Sequence, residues 1–231
     1  MKLVWCPDMS SKAYIDGVKV LADRDDLAGS AELAELVCAM AGGWNAQLVV
    51  EAPDVSAASS SRPRAAATSL ALAAAARRTG GRYACVLPDA DSAAAYAVAG
   101  AAPSSSPTVV VGEAGEAMAR LEGVDLLVVD ARRRDAAAVL RAARPGPRGM
   151  VVVRHRDGRR CGPTALAAAS MAAGTRVVRS VYLPIGKGVE VLHVGVGKGP
   201  SLQSRSGGRV ASRWIRHVNH DTGEEHVFRR Q

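Results

Sequence analysis

Short apolar runs alternate with longer segments of helical periodicity along most of this chain. The runs at 47–51, 83–87, 108–111, 124–129 and 150–153 are rich in Val and Leu, and each predicts a strand. Between them, 65–78, 91–99, 113–121 and 135–143 carry Ala-rich helical patterns, the first closed by Gly80-Gly81. A further helix is expected over 163–173. Two helices precede the alternation. Ser10 or Ser11 can cap one with Tyr14, Ile15, Val18 and Leu21 on a face, and Ser30 can cap a second, with Leu33, Leu36, Val37 and Met40, stopped by Gly42-Gly43.

Strands that are apolar throughout, each followed by a helix, belong to a parallel sheet covered on both faces. Right-handed crossovers make this a doubly wound, Rossmann-like α/β sheet. The end of the pattern differs. Segments 176–183 and 189–194 are joined through 184–188 with no helix between them, so they pair antiparallel. The expected fold is five parallel strands plus a C-terminal antiparallel hairpin. Around it the chain divides into N-terminal helices (1–43), the Rossmann core (44–196), a Gly/Ser-rich linker (197–210) and a terminal β-hairpin (211–231) carrying Trp214, Ile215, Val218, Val227 and Phe228.

Composition narrows the class. The 231 residues are 48% hydrophobic and 23% charged, which excludes a wholly disordered chain, and no apolar run approaches the ~20 residues of a membrane span. The first residues show no leader segment, and Cys6, Cys38, Cys85 and Cys161 are too scattered for a metal knuckle. A soluble cytoplasmic protein with reduced thiols is expected. The net charge of +8 is local: from Arg144 to Lys187 nine cations stand against Asp157 alone. With 3% aromatics and no basic recognition helix, that charge does not read as a nucleic-acid surface. Nor does Gly195-Val-Gly-Lys-Gly199 read as a phosphate loop, because Pro200 follows it in place of a helix.

A doubly wound sheet binds ligands outside the carboxyl ends of its strands. The candidates are therefore 51–57, 89–91, Gly112-Glu113, 130–133 and 154–156. Asp89 can accept from ribose hydroxyls or cap the helix that follows. Both readings stand on sequence alone.

The strings Leu48-Val-Val-Glu51, Val124-Asp-Leu-Leu-Val-Val-Asp130-Ala131, Arg148-Gly-Met-Val-Val-Val and Leu183-Pro-Ile-Gly-Lys-Gly188, in this order, resemble the caffeoyl-CoA-type O-methyltransferases over residues 30–196. Both ends resemble something narrower. Met1-Lys-Leu-Val-Trp5, Ser11-Lys-Ala-Tyr-Ile-Asp16, Ser212-Arg-Trp-Ile-Arg-His217 and Gly223-Glu-Glu-His-Val-Phe228 are similar to a plant family, the domain of unknown function 1442, usually grouped as methyltransferase-like. The resemblance implies S-adenosylmethionine as cofactor; the candidates for contact with it are Glu51, Ser56, Asp89, Gly112, Glu113 and Asp130, Ser56 otherwise being part of a Ser-rich loop. It also implies a homodimer.

Two departures matter. The enzymes run Glu-hydrophobic-Gly, with another Gly four residues on, whereas this chain reads Glu51-Ala52-Pro53 and then Ala57. Pro53 removes a backbone donor. The enzymes also hold a divalent cation with an Asp after the fourth strand and an Asp-Asn pair after the fifth. Asp130 matches the first, but Arg154-His155 replaces the pair, and an arginine does not ligate a hard cation. No metal is expected. Arg154 and Arg156 are candidates for an anionic substrate, with an Arg154–Asp130 salt bridge as the alternative for Arg154. Asp130 and His155 are the catalytic candidates, His155 otherwise being an exposed loop residue. His217, His220 and His226 lack ligand-spaced partners. The expected function is a methyltransferase-like protein with an altered cofactor loop; the alternative is a non-enzymatic scaffold that retains the fold.

Overall fold

A seven-stranded sheet organises the computed structural model, which describes residues 4–55, 62–99, 108–155, 171–186, 188–197, 214–218 and 225–229. Its strands are β1 (Leu48–Ala52), β2 (Arg82–Leu87), β3 (Thr108–Val111), β4 (Leu126–Asp130), β5 (Met150–His155), β6 (Thr175–Leu183) and β7 (Val189–Val196). They lie in the order β3-β2-β1-β4-β5-β7-β6. The first five are mutually parallel, and β7 runs antiparallel to both β5 and β6. The expected doubly wound sheet with its antiparallel pair is the fold observed. The order reverses between β1 and β4, and this defines a crevice at their carboxyl ends.

Successive β1 residues face opposite layers. On one side Val49 meets α1 (Pro7–Ala22), α2 (Ala31–Gly43) and α3 (Arg62–Thr79), together with Tyr96 from α4 (Ala90–Val98). On the other, Leu48, Val50 and Ala52 meet α5 (Ala114–Ala119) and α6 (Ala136–Ala142). The two N-terminal helices thus share a core with β1, β4 and β5.

Several local expectations change. α1 begins at Pro7 with Cys6 at the N-cap, so the first turn is set by proline; Ser10 instead donates to the Ala39 carbonyl at 3.0 Å. Ser30 does hold the N-cap position of α2, but makes no side-chain cap, because a 3-10 turn over Asp25–Ser30 leads into the helix. Gly42 and Gly43 lie within the last turn of α2. A Cβ at Gly42 would overlap Ala13 and the Met9 carbonyl, so the pair serves the close crossing of α1 as well as the helix end. The chain leaves α2 through Asn45, at φ 49°.

The run 124–129 is also divided. Glu122–Val124 pairs with Arg144–Pro145 in a separate two-stranded ladder, and β4 starts at Leu126. Asp125, between them, is buried and accepts from the Gln47 and Leu48 amides at 2.8 and 3.3 Å and from Arg148 at 3.0 Å. Of the helix expected over 163–173, residues 163–170 lie outside the described residues and 171–173 are not helical. The expected 197–210 linker is described only at Gly197. At the C-terminal end β8 (Trp214–Val218) and β9 (Glu225–Arg229) pair antiparallel, as the sequence suggests. No helix among the described residues is long and apolar enough to cross a membrane.

Candidate functional site

The carboxyl ends of β1, β2, β3 and β4 open into a cleft of about 690 Å³. Pro53, Asp54 and Val55 line it after β1, Pro88, Asp89 and Ser92 after β2, Glu113 and Ala114 after β3, and Arg132 to Asp135 after β4. Its volume falls in the range of small-molecule sites, about 300–1,000 Å³.

Arg133 forms its floor. The guanidinium is buried, and Nη1 donates to the Val86 carbonyl at 2.6 Å and the Pro53 carbonyl at 3.4 Å. Nε and Nη2 grip Asp135 at 2.8 and 2.7 Å. One side chain from the loop after β4 therefore ties the ends of β1 and β2 together. It also holds the Asp135 carboxyl below its usual range. The Arg132-Arg133-Arg134 run carried no signal in sequence beyond its position after the fourth strand.

Of the two readings of Asp89, the structure shows the helix cap. Asp89 caps α4, its Oδ1 accepting from the Ser92 amide at 2.7 Å, and it stands on the cleft wall. The hydrogen bonds from Ser92 lower its carboxyl below the ordinary value. A carboxylate offers about four lone-pair sites, so the cap leaves acceptor capacity toward the cleft. Glu113 similarly caps α5, accepting from the Gly115 amide at 3.0 Å, and lines the same wall. Gly112, at φ 147°, lies in the turn that delivers Glu113 and donates its amide to Leu87 at 3.0 Å.

Glu51 is not among the residues lining the cleft. It is buried, and its Oε2 accepts from Ser69 and from Tyr83, each at 2.6 Å, with Tyr96 3.1 Å beyond Tyr83. Burial pushes its carboxyl up to about 7. Asp130 accepts from the Arg132 amide at 2.9 Å and from Nε and Nη2 of the same side chain at 3.0 and 2.5 Å.

The suggested Arg154–Asp130 pair does not form. Arg154 sits in register with Glu190 of β7, 3.5 Å from its Oε2, while Asp130 is taken by Arg132, two residues on in its own loop. Arg154 is not among the residues lining the cleft. His155 ends β5, opposite Asp130 in register; of its side chain nothing is described. Ser56, Ala57 and Arg156 lie outside the described residues. Among the described residues no three His, Cys, Asp or Glu side chains gather to hold a metal ion.

The described residues are compatible with the adenosyl end of an S-adenosylmethionine group, in that Asp89 presents a carboxylate to a cleft with room for it. At the β1 turn the fit is altered. Pro53 has no amide to donate, and its carbonyl is already engaged by Arg133.

A family model described as a protein of unknown function, DUF1442, matches residues 1–230. No curated protein matches the sequence. Among solved structures, the chain is similar to a methyltransferase from Geobacter sulfurreducens, 16% identical over 79% of this chain and 88% of that one, with a TM-score of 0.50. It is also similar to the S-adenosylhomocysteine-bound methyltransferase of Podospora anserina, 13% identical over 84% and 90% of the two chains, TM-score 0.49. A Staphylococcus aureus protein provisionally assigned as a caffeoyl-CoA O-methyltransferase is 11% identical over 77% and 92%, TM-score 0.49. At 16% identity the likeness to the Geobacter structure shows a methyltransferase-like fold and nothing beyond the fold.

Proposed function

We propose, from the premise that this chain belongs to the DUF1442 family, that it is a methyltransferase-like protein whose cleft holds an adenosyl ligand, S-adenosylmethionine or its demethylated product. One observation carries the reading. Asp89, at the end of β2, lines a cleft of about 690 Å³ beside the point where strand order reverses. In this reading the Asp89 carboxylate accepts from the ribose hydroxyls, and Glu113 and Ala114 flank the base. When bound, S-adenosylmethionine supplies an electrophilic methyl group. What this chain contributes is the acceptor at Asp89 and a floor fixed by Arg133. The reading uses no metal.

Calorimetric titration of the full chain with S-adenosylmethionine and S-adenosylhomocysteine tests it. Asp89→Asn keeps an oxygen for the Ser92 cap but removes the charge and half the acceptor set. Micromolar binding lost in Asp89→Asn, with the thermal midpoint unchanged, supports the reading. A folded wild-type chain that binds neither ligand refutes it.

A second reading, a non-enzymatic scaffold that keeps the fold, is favoured by a specific pair of contacts. Arg132 occupies the carboxylate of Asp130, one of the two catalytic candidates, and Arg133 occupies the Pro53 carbonyl. Adenosyl binding without methyl transfer to any acceptor tested would favour it.

A further inference from the structure

Three of the chain's five histidines fall within the ten residues 217–226. Spacing alone makes no ligand set of them, because His217 and His226 are nine residues apart. The register of the terminal hairpin brings these two together. β8 and β9 pair so that His217 stands directly opposite His226, with Ile215 opposite Phe228 on the same face.

Residues directly opposite in an antiparallel pair have Cβ atoms about 4.5–5.5 Å apart, a separation that two imidazoles can close on one ion. Strand alternation sorts the rest. Arg216, opposite Val227, and Arg229, opposite Trp214, fall on the other face, so neither strand sets a cation on the face of the histidine pair. Near neutral pH an imidazole is a neutral nitrogen ligand, and imidazole suits zinc, nickel and copper, whereas calcium and magnesium take oxygen. Two such ligands leave the remaining coordination positions to water. The pair also lies one register step from Val218 and Glu225, the last pair before the connection between the strands. A two-stranded hairpin is marginal by itself, and an ion held there ties its strands together.

We propose that the terminal hairpin carries a binding site for one divalent transition-metal ion of the zinc, nickel or copper class, with the imidazoles of His217 and His226 as its protein ligands. The site does not rest on the adenosyl reading, and none of the residues lining the cleft belongs to β8 or β9.

Calorimetric titration of the full chain with nickel(II) chloride at neutral pH, set beside calcium chloride, reads this out. The expected result is one nickel ion per chain and no binding of calcium. Nickel binding weakens as pH falls through about 6.5, where the imidazoles take up protons. His217→Ala and His226→Ala each lower nickel affinity about a hundredfold, because the second imidazole no longer acts at high local concentration. Val227→His added to His226→Ala restores the number of imidazoles but places the new one on the opposite face, and it binds nickel as weakly as His226→Ala alone. Amide exchange over 214–218 and 225–229, measured on the wild-type chain, slows when nickel is added. A folded wild-type chain that binds no nickel overturns the proposal, as does amide exchange in the hairpin that nickel leaves unchanged. So does an affinity that survives both single variants, or one that Val227→His restores.

Discussion

The Arg133 guanidinium donates to the Val86 carbonyl at 2.6 Å, across a separation of 47 residues. Val86 belongs to β2 and Arg133 to the loop after β4, with β1 lying between the two strands in the sheet. The contact therefore spans the crevice that doubly wound sheets keep for ligands. The loop after β1 carries Pro53 where the resembling enzymes carry glycine, and the Arg133 bridge supplies order there from a distant segment.

Replacing Arg133 by methionine is expected to destabilise the chain by on the order of 2–3 kcal/mol. The change leaves the Val86 carbonyl without its charged donor and Asp135 without its cation. Asp135 is partly exposed, so water offsets some of the loss and keeps the figure below that of a fully buried pair. Urea unfolding of Arg133→Met, Asp135→Asn and the double variant measures it. The double variant should cost clearly less than the two single losses added together. Strict additivity would show that the pair is not coupled.

Glu51 predicts a pH dependence of stability. Its carboxyl is raised from 4.5 to about 7 in the folded chain, chiefly by burial and further by the charge of Asp130, against the hydrogen bonds from Ser69 and Tyr83. A raised acid binds its proton more tightly when folded. Its contribution is complete below about pH 4.5 and is lost as pH rises through about 7, a difference on the order of 3 kcal/mol. Glu51→Gln keeps an oxygen for Ser69 and Tyr83 and cannot ionise. The variant and wild type should be close in stability at pH 5, and the variant more stable at pH 8. A difference that is the same at both pH values would contradict the assignment.

Much of this fold is legible in the sequence because its signals are local. The five Val/Leu runs reappear as β1 to β5 in a parallel sheet, with the four helices expected between them, and the helix-free connection at 184–188 reappears between antiparallel β6 and β7. Asp89 was legible too, since a carboxylate just after a strand and just before a helix is placed for a cap and for a cleft at once. What sequence could not show is pairing. Arg132 and Arg133 reach carboxylates two residues away in their own loop, while Arg154 finds Glu190 across β7 and not Asp130. Which partner wins depends on strand register, and no spacing rule encodes it. Gly42-Gly43 misled in a related way, because a helix stop and a helix crossing call for the same small residue.

Asp89→Ala, set beside Asp89→Asn, separates the cap made by that carboxylate from its charge. Alanine removes the acceptor for the Ser92 amide and exposes an uncapped first turn of α4, so the thermal midpoint should fall by a few degrees. Asparagine keeps the cap and should leave the midpoint within error. Differential scanning calorimetry of both variants decides it; equal losses would mean that the charge, and not the cap, stabilises α4.

The three helices over one face of the sheet meet at Gly17, Cys38 and Ala71. The single Cys38 S–H proton is shared between the Ala13 carbonyl of α1, 2.9 Å from Sγ, and the Ala71 carbonyl of α3, 3.2 Å from it. The thiol is raised to about 12 by burial, so it is a protonated donor at neutral pH. A Cβ at Gly17 would come within 2.7 Å of this sulfur and 3.2 Å of Cys38 Cβ. Gly17→Ala is therefore expected to cost about 1–3 kcal/mol, by forcing α1 away from α2. Cys38→Ala on its own should cost less, on the order of 1 kcal/mol, for a small cavity and one weak, shared hydrogen bond. In the double variant the sulfur that blocks the new methyl group is gone and the remaining contact is only tight, so part of the loss at Gly17 should be recovered. Urea midpoints of the two single variants and the double variant give the coupling directly. If the losses simply add, the helices are held apart by something other than this contact, and the close approach of α1 to α2 is not set at Gly17.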